Sequence, residues 1–466
     1  MPQISAGDTA WVLASAALVL LMTPGLAFFY GGMVRAKSVL NMMMMSFGAL
    51  GLISVLWVLY GFSMSFGNSK GGLVGDPFQY LGLKGTMSPS SVILQSVDSA
   101  GKAIPGTGIP ILAFVAFQAV FAIITVALIS GAIADRTKFG AWMVFSAIWA
   151  TIVYFPVAHW VFAFNGVTGE RGGWIANQLK AIDFAGGTAV HINAGAAGLA
   201  LALVLGKRVG FGKDPMRPHN LTLVMLGAGL LWFGWFGFNA GSALGANNTA
   251  AVTWVNTMVA TAAASLAWLA TEKIRDGHAT SLGAASGVVA GLVAITPSCS
   301  SVSPLGAIAV GAIAGVVCAL AIGMKYKLGF DDSLDVVGVH LVGGIVGTLL
   351  IGFLATDAAP AGVNGLFYGG GLDQLWRQAV AAGAVLVYSF VLAYIIGLAI
   401  EKTIGFRVST DDEVQGVDLT IHAETAYDFG SMGGGSGFRP LVGAGAVKSV
   451  PGGPPLTDTD TERVDA

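Results

Sequence analysis

The chain is predicted to be an all-α integral membrane protein of about eleven transmembrane helices, built as two inverted five-helix repeats plus a final helix. Three observations predict it. A mean hydropathy of +0.75 with 10% charged residues over 466 positions does not suit a water-soluble globule. Apolar runs recur at about 20 residues, the length of helix that crosses ~30 Å of hydrocarbon. Two stretches nearly repeat one another, DFAGGTAVHINAGAAG at 183–198 and DSLDVVGVHLVGGIVG at 332–347. In each, an Asp stands eight residues before a His, and Gly follows four and seven places after it.

The spans are read in order at 10–30, 40–66, 109–134, 140–162, 187–205, 220–243, 250–270, 282–295, 305–324, 336–354 and 378–400. The first has no preceding Lys or Arg and no cleavage site, so it is expected to stay as a span. The second carries Met42–Met45, read as helix packing rather than a soft-metal site. Cys299 and Cys318 lie in or beside apolar runs without metal-ligand spacing and read as packing residues. No metal or cofactor is expected. The fifth and tenth spans carry His191 and His340, each an imidazole brought into an apolar run. Ionisable groups are costly there and mark function. His159, His219, His278 and His422 lie at span ends or outside them and receive no role.

Basic residues are retained on the cytoplasmic side of a membrane. One set of alternate connections holds fourteen Lys and Arg, from Arg35 and Lys37 to Lys402 and Arg407, and the other holds six. The amino terminus is therefore expected outside and the carboxyl terminus inside, which an odd number of spans requires. His191 and His340 fall in spans five and ten, so the unit is five helices, and an odd unit turns its second copy upside down. Eight helical residues cover about 12 Å, which places each His about 12 Å from its own face of a ~30 Å core. The imidazoles then come within roughly 6 Å of each other in depth, near the midplane. They can hydrogen-bond directly if spans five and ten pack together, and Gly195, Gly198, Gly344 and Gly347 would permit that approach.

Four segments carry a family resemblance: TPGLAFFYGG at 23–32, DFAGGTAVHINAG at 183–195, GWFGFNAGSA at 234–243 and DVVGVH at 335–340. From about residue 10 to 429 the chain resembles the ammonium transporter family, the Amt/Mep/Rh proteins. The resemblance implies a homotrimer in the cell (plasma or inner) membrane, with one ammonium-conducting path per subunit. It matches His191 and His340 to a twin pair lining the pore, and Phe121 and Phe238 to stacked rings that gate it. It matches Ser242, Phe121, Trp235 and Phe162 to ammonium recruitment at an outer vestibule, and Phe117, Gln118, Tyr154 and Thr296 to other lining positions. Phe162 departs from the family, which often has Trp there; a phenyl ring is the weaker cation-π partner. Asp183 matches an acidic residue at the outer end of helix five, as a helix cap or a cation partner. Asp335 is read as a brace or cap of helix ten.

The chemistry stands beside the resemblance. Potassium and ammonium are alike in charge and size, but only ammonium can shed a proton. Moving a bare ion into a low-dielectric medium costs of order tens of kcal/mol, which neutral ammonia largely avoids. A greasy path is thus a filter, and two histidines sharing one proton offer a donor and an acceptor along it.

The chain reads as a transmembrane ammonium-conducting domain at 1–404, with repeats at about 10–205 and 220–354 and a last helix at about 378–400. A cytoplasmic regulatory tail follows at 405–429, then a disordered tail at 430–466, rich in Gly, Pro, Thr and Asp. The segment DLTIHAETAYDF at 418–429 resembles the family's regulatory tail, whose usual partner is a P-II-type signalling protein at the cytoplasmic face. A net charge of −2 gives no reason to expect a nucleic-acid partner. Two other classes compete. A metal-dependent intramembrane enzyme would need Asp183 and Asp335 beside both histidines, yet they lie about 12 Å and about 8 Å along the helix axis from their own. An ammonium sensor would use the same site with the tail as output. No dedicated signalling domain follows, so a regulated transporter is preferred.

Overall fold

The computed structural model describes residues 4–96, 104 and 106–427. Its described residues up to Ala426 form one compact unit. In chain order the main helices are α1 (Ala6–Met33), α2 (Val39–Phe66), α3 (Ile111–Ile133), α4 (Phe139–Phe162), α5 (Gly187–Leu205) and α6 (Leu221–Gly241). There follow α7 (Asn248–Asp276), α8 (Ser281–Ile295), α9 (Pro304–Leu328), α10 (Val337–Leu354) and α11 (Asp373–Thr403). Among the described residues, ten of these are long and apolar enough to cross a membrane.

The exception is α8. Its 15 residues give about 22 Å of helix against ~30 Å of hydrocarbon. The chain continues from it into a run of turns at 296–301 whose residues are buried. Irregular backbone at such a depth is tolerated only inside protein or along a cavity.

Helix starts follow from polar residues that the sequence places there. Ser5, Asn220, Asn247, Thr280 and Ser303 each accept a hydrogen bond from the amide three residues on, at 2.9 to 3.2 Å. Each satisfies one of the donors that a helix start leaves over. Within four spans the coil widens to a π turn, at Trp57–Gly61, Ala150–Tyr154, Gly187–Ile192 and Val337–Leu341. The last two carry the two histidines, and such turns gather at functional sites.

The helix pairings repeat by fives. α1 lies on α2 and α3 as α6 lies on α7 and α8; α4 packs on α2 as α9 packs on α7; α5 meets α3 as α10 meets α8. α1 and α6 pair with each other, α5 and α10 cross, and α11 runs along both.

Two short helices, α12 (Thr410–Gln415) and α13 (Val417–His422), follow α11 and are tied to the ends of the others. Arg407 donates to the Leu205 carbonyl at 2.8 Å and pairs with Glu413 at 2.8 Å; Glu413 also accepts from the Val209 amide at 2.7 Å. Asp418 accepts from the Leu40 and Asn41 amides at 2.9 and 2.7 Å and so caps α2 from a distance in sequence. Beside this grip, Arg208 bridges Asp135 at 3.0 Å and Asp331 at 2.9 Å, and Arg35 reaches Asp135 at 3.2 Å. Burial alone would raise the Asp331 carboxyl, but the Arg208 and Arg136 guanidinium groups hold it below the usual range. These contacts gather the connections α1–α2, α3–α4, α5–α6 and α9–α10, together with residues 405–426, on one side, the side of the fourteen basic residues. The tail expected at 430–466 lies outside the described residues, as do 428 and 429.

Candidate functional site

The crossing of α5 and α10 is set by the repeated segment. Gly195 on α5 faces Leu341 on α10, where an added Cβ would stand 2.5 Å from the Leu341 amide nitrogen. Gly344 on α10 faces the His191 turn, where an added Cβ would stand 3.0 Å from the Gly187 carbonyl oxygen. Each helix thus offers its glycine, four residues past its own His, to the other's π turn. Of the other two expected glycines, Gly198 faces Ala132 and Val336, the latter just ahead of α10, and Gly347 faces the α8 backbone at Ala294.

That approach brings the imidazoles together. His191 Nδ1 and His340 Nδ1 are 3.2 Å apart, with ring centroids at 5.3 Å and planes 18° apart. Two Nδ1 atoms at this distance share one proton, so one ring donates and the other accepts. The donor ring keeps a bare Nε2 and the acceptor ring an Nε2–H. His191 Nε2 is buried and has no partner among the described residues. Both rings line an enclosed cavity of about 10 Å³, walled mainly by apolar groups such as Leu26, Phe29, Leu128 and Leu231. A cavity of that size holds about one water-sized molecule.

Trp235 lies flat against His191, at 5.4 Å and 14°, and its indole N–H donates to Thr296 Oγ1 at 2.8 Å. Thr296 in turn donates to the Leu292 carbonyl at 2.7 Å, so the buried turn after α8 sets the plane of the imidazole. Trp235 was expected at an outer vestibule. It stands three residues before Phe238 on α6, one turn deeper, and lines the histidine cavity.

Phe121 and Phe238 stack above that cavity with centroids 4.2 Å apart and planes at 20°. Phe117 leans on Phe121 at 4.9 Å, and Phe162 meets it edge-on at 6.4 Å. Beyond the stack, a cavity of about 410 Å³ is lined by Phe162, Asp183 and Ser242. Ser242 donates to the Phe238 carbonyl at 2.8 Å, which leaves its oxygen lone pairs available. The neighbouring Gln118 carries a buried Oε1 with no partner among the described residues. Tyr154 sits apart from these, buried in the π turn of α4 between Trp149 and Phe155.

Asp183 accepts from the amides of Gly186, Gly187, Thr188 and Ala189 at 2.6 to 3.1 Å, and from the Thr188 hydroxyl. It holds the start of α5. The counterpart on α10 is Asp332, which accepts from the Val336 and Val337 amides at 3.1 and 2.7 Å. Asp335, expected as a brace or cap, leaves the helix-start amides to Asp332 and pairs with Lys325 at 2.6 Å from a left-handed backbone (φ 64°). Burial pushes the Asp332 carboxyl above the usual carboxylate range, opposed by the Lys325 charge. Asp332 was legible in the sequence, since it stands eight residues before His340 as Asp183 does before His191. A third cavity, of about 490 Å³, opens on the far side with Arg208, Lys325 and Asp335 in its wall.

The model of the Ammonium Transporter Family matches residues 10–427. The chain is 64% identical over 444 residues to an ammonium transporter of Mycobacterium tuberculosis, an alignment covering 94% of this chain and 93% of that one. In three dimensions it is similar to a sensor Amt protein, with a TM-score of 0.79 at 28% identity, covering 88% of this chain and 97% of that one. It is also similar to Mep2 of Candida albicans, with a TM-score of 0.76 at 32% identity and 88% of each chain covered.

Proposed function

This chain belongs to the Ammonium Transporter Family and is a multi-pass ammonium transporter, and from that premise we propose how its residues move the substrate. Ammonium is received in the cavity beyond the phenyl stack, where Ser242 accepts an N–H and the faces of Phe121 and Phe162 meet the charge. Phe121 and Phe238 then close the path to a hydrated ion. A bare cation faces a desolvation cost of order tens of kcal/mol in the apolar passage, so ammonium gives up a proton and goes on as ammonia. The histidine cavity takes about one such molecule. Its bare Nε2 accepts from the guest and its Nε2–H donates to it, while Trp235 and Thr296 hold the His191 ring in place. The proton travels separately, through the shared Nδ1 bridge. The 3.2 Å approach of the two rings in an apolar cavity carries this reading.

The remaining assignments belong to the same proposal. The amino terminus is outside and the carboxyl terminus inside, with α8 and its buried turn completing the eleventh passage. The protein forms a homotrimer, and a P-II-type protein meets its cytoplasmic face, with residues 405–429 as a regulatory tail. Asp183 serves the path by holding α5. Only N–H bonds are exchanged, so the protein is not an enzyme.

Proteoliposome current under an ammonium gradient tests the reading. The native protein is expected to carry ammonium-dependent current, His191→Ala to reduce it at least about tenfold, and Phe121→Ala to reduce it several-fold. Liposomes with native protein that show neither current nor an internal pH change overturn it.

A further inference from the structure

The cavity that receives ammonium also holds a charge that the proposed path does not use. Lys180 closes the π turn Ile175–Leu179 ahead of α5 and lines the same cavity as Phe162, Asp183 and Ser242. Its side chain is exposed, and no ion pair or hydrogen bond engages its ammonium group among the described residues. The other charge in that wall is Asp183, whose two oxygens already accept five hydrogen bonds from the start of α5. Asp183 keeps its negative charge beneath those bonds, turned to the start of α5, and the exposed Lys180 adds an unpaired positive charge to the same wall.

The backbone at Lys180 sharpens the point. Its φ of 57° and ψ of 35° lie in the left-handed region, which an L side chain occupies at a cost and glycine occupies freely. Lys180 ends the π turn through its backbone, and its side chain makes no ion pair among the described residues. What it does contribute is a cation fixed at the rim by a turn, over a site that must admit cations.

We propose that Lys180 is an affinity-setting residue for ammonium: its charge repels the arriving ion and holds the KM above what the hydroxyl and the aromatic faces would give alone. The proposal rests on the reading of this cavity as the ammonium-receiving mouth. Two unit charges roughly 8 Å apart in water change affinity by about twofold, and an opposite charge at the same place by about fourfold. The effect fades as the screening length falls from ~30 Å at 0.01 M salt to ~3 Å at 1 M.

The test measures KM and maximal current of ammonium-driven current in proteoliposomes of neutral lipid, at low and high salt. At low salt Lys180→Gln and Lys180→Gly should lower KM about twofold, and Lys180→Glu about fourfold, with maximal current unchanged. Lys180→Arg should keep the native KM, and high salt should erase the differences. Lys180→Gly separates charge from backbone, since it relieves the left-handed turn: a KM shift in Gly alone, with Gln and Glu unmoved, overturns the proposal. So does a KM that no variant moves at low salt while current saturates normally. Native protein without saturable current overturns the underlying reading of the mouth, and this proposal with it.

Discussion

Asp183 shows how much one carboxylate does at the threshold of α5. Five donors converge on it, and no other side chain can take its place without leaving some unpaired. Asp183→Asn keeps the shape but offers one accepting oxygen and turns an N–H₂ toward backbone amides. At about 1–3 kcal/mol for each buried donor left unpaired, the change should cost several kcal/mol. A marked fall in the melting temperature of detergent-purified protein is the expected result. An unchanged melting temperature with transport lost would move Asp183 from helix cap to direct cation partner. The histidine pair was legible at this scale because duplication fixed both spacing and depth. Trp235 was not, since a motif match says that a residue belongs to the site without saying on which turn; its spacing from Phe238 held that information.

At the scale of elements, hydropathy located every long helix, and polar residues such as Asn220, Asn247 and Ser303 marked where several begin. What it could not give was the coil within a span. Nothing in GTAVHI or VGVHL separates a π turn from an α turn, because the wider coil is imposed by the neighbouring helix and not by composition. The length of α8 was readable as a run of 14 residues at 282–295, but its purpose was not, since that depends on the buried turn meeting Trp235 and α5. The α5–α10 contact gives the sharpest test here. In Gly195→Ala the new methyl would stand 2.5 Å from the Leu341 amide nitrogen, so the two helices must separate. Overpacking of this kind typically costs about 1–3 kcal/mol. The expected outcome is a protein that still inserts but whose ammonium current falls at least tenfold, as in His191→Ala. Native current from Gly195→Ala would mean that the rings need no close approach.

For the molecule as a whole, the basic count and the ion pairs describe one surface. Arg35, Asp135, Arg208, Asp331, Arg407 and Glu413 come from segments far apart in sequence and meet at the ends of both histidine-bearing helices. The grouping could be foreseen from alternating connections; the pairings could not, because any of several basic residues on that side could have met the same carboxylates. Residues 405–426 join this surface through many contacts, among them Asp418 on the start of α2, the Asp418 amide on the Lys37 carbonyl and the His422 ring on Asn41. Asp418→Ala should release the segment, so protease added at the face that carries it should cut between 409 and 427 several-fold faster than in native protein. Equal cutting rates would show that the remaining contacts, such as Arg407 with Glu413 and His422 with Asn41, hold the segment without it.

The bridge between the two imidazoles has a consequence for counting. Once a proton has passed through it, the rings have exchanged tautomers, and the wire points the wrong way for a second proton moving in the same sense. The pair must be returned to its starting arrangement before another can follow. A column of water would let charge stream; this crossing works as a turnstile, metering it one unit per reset.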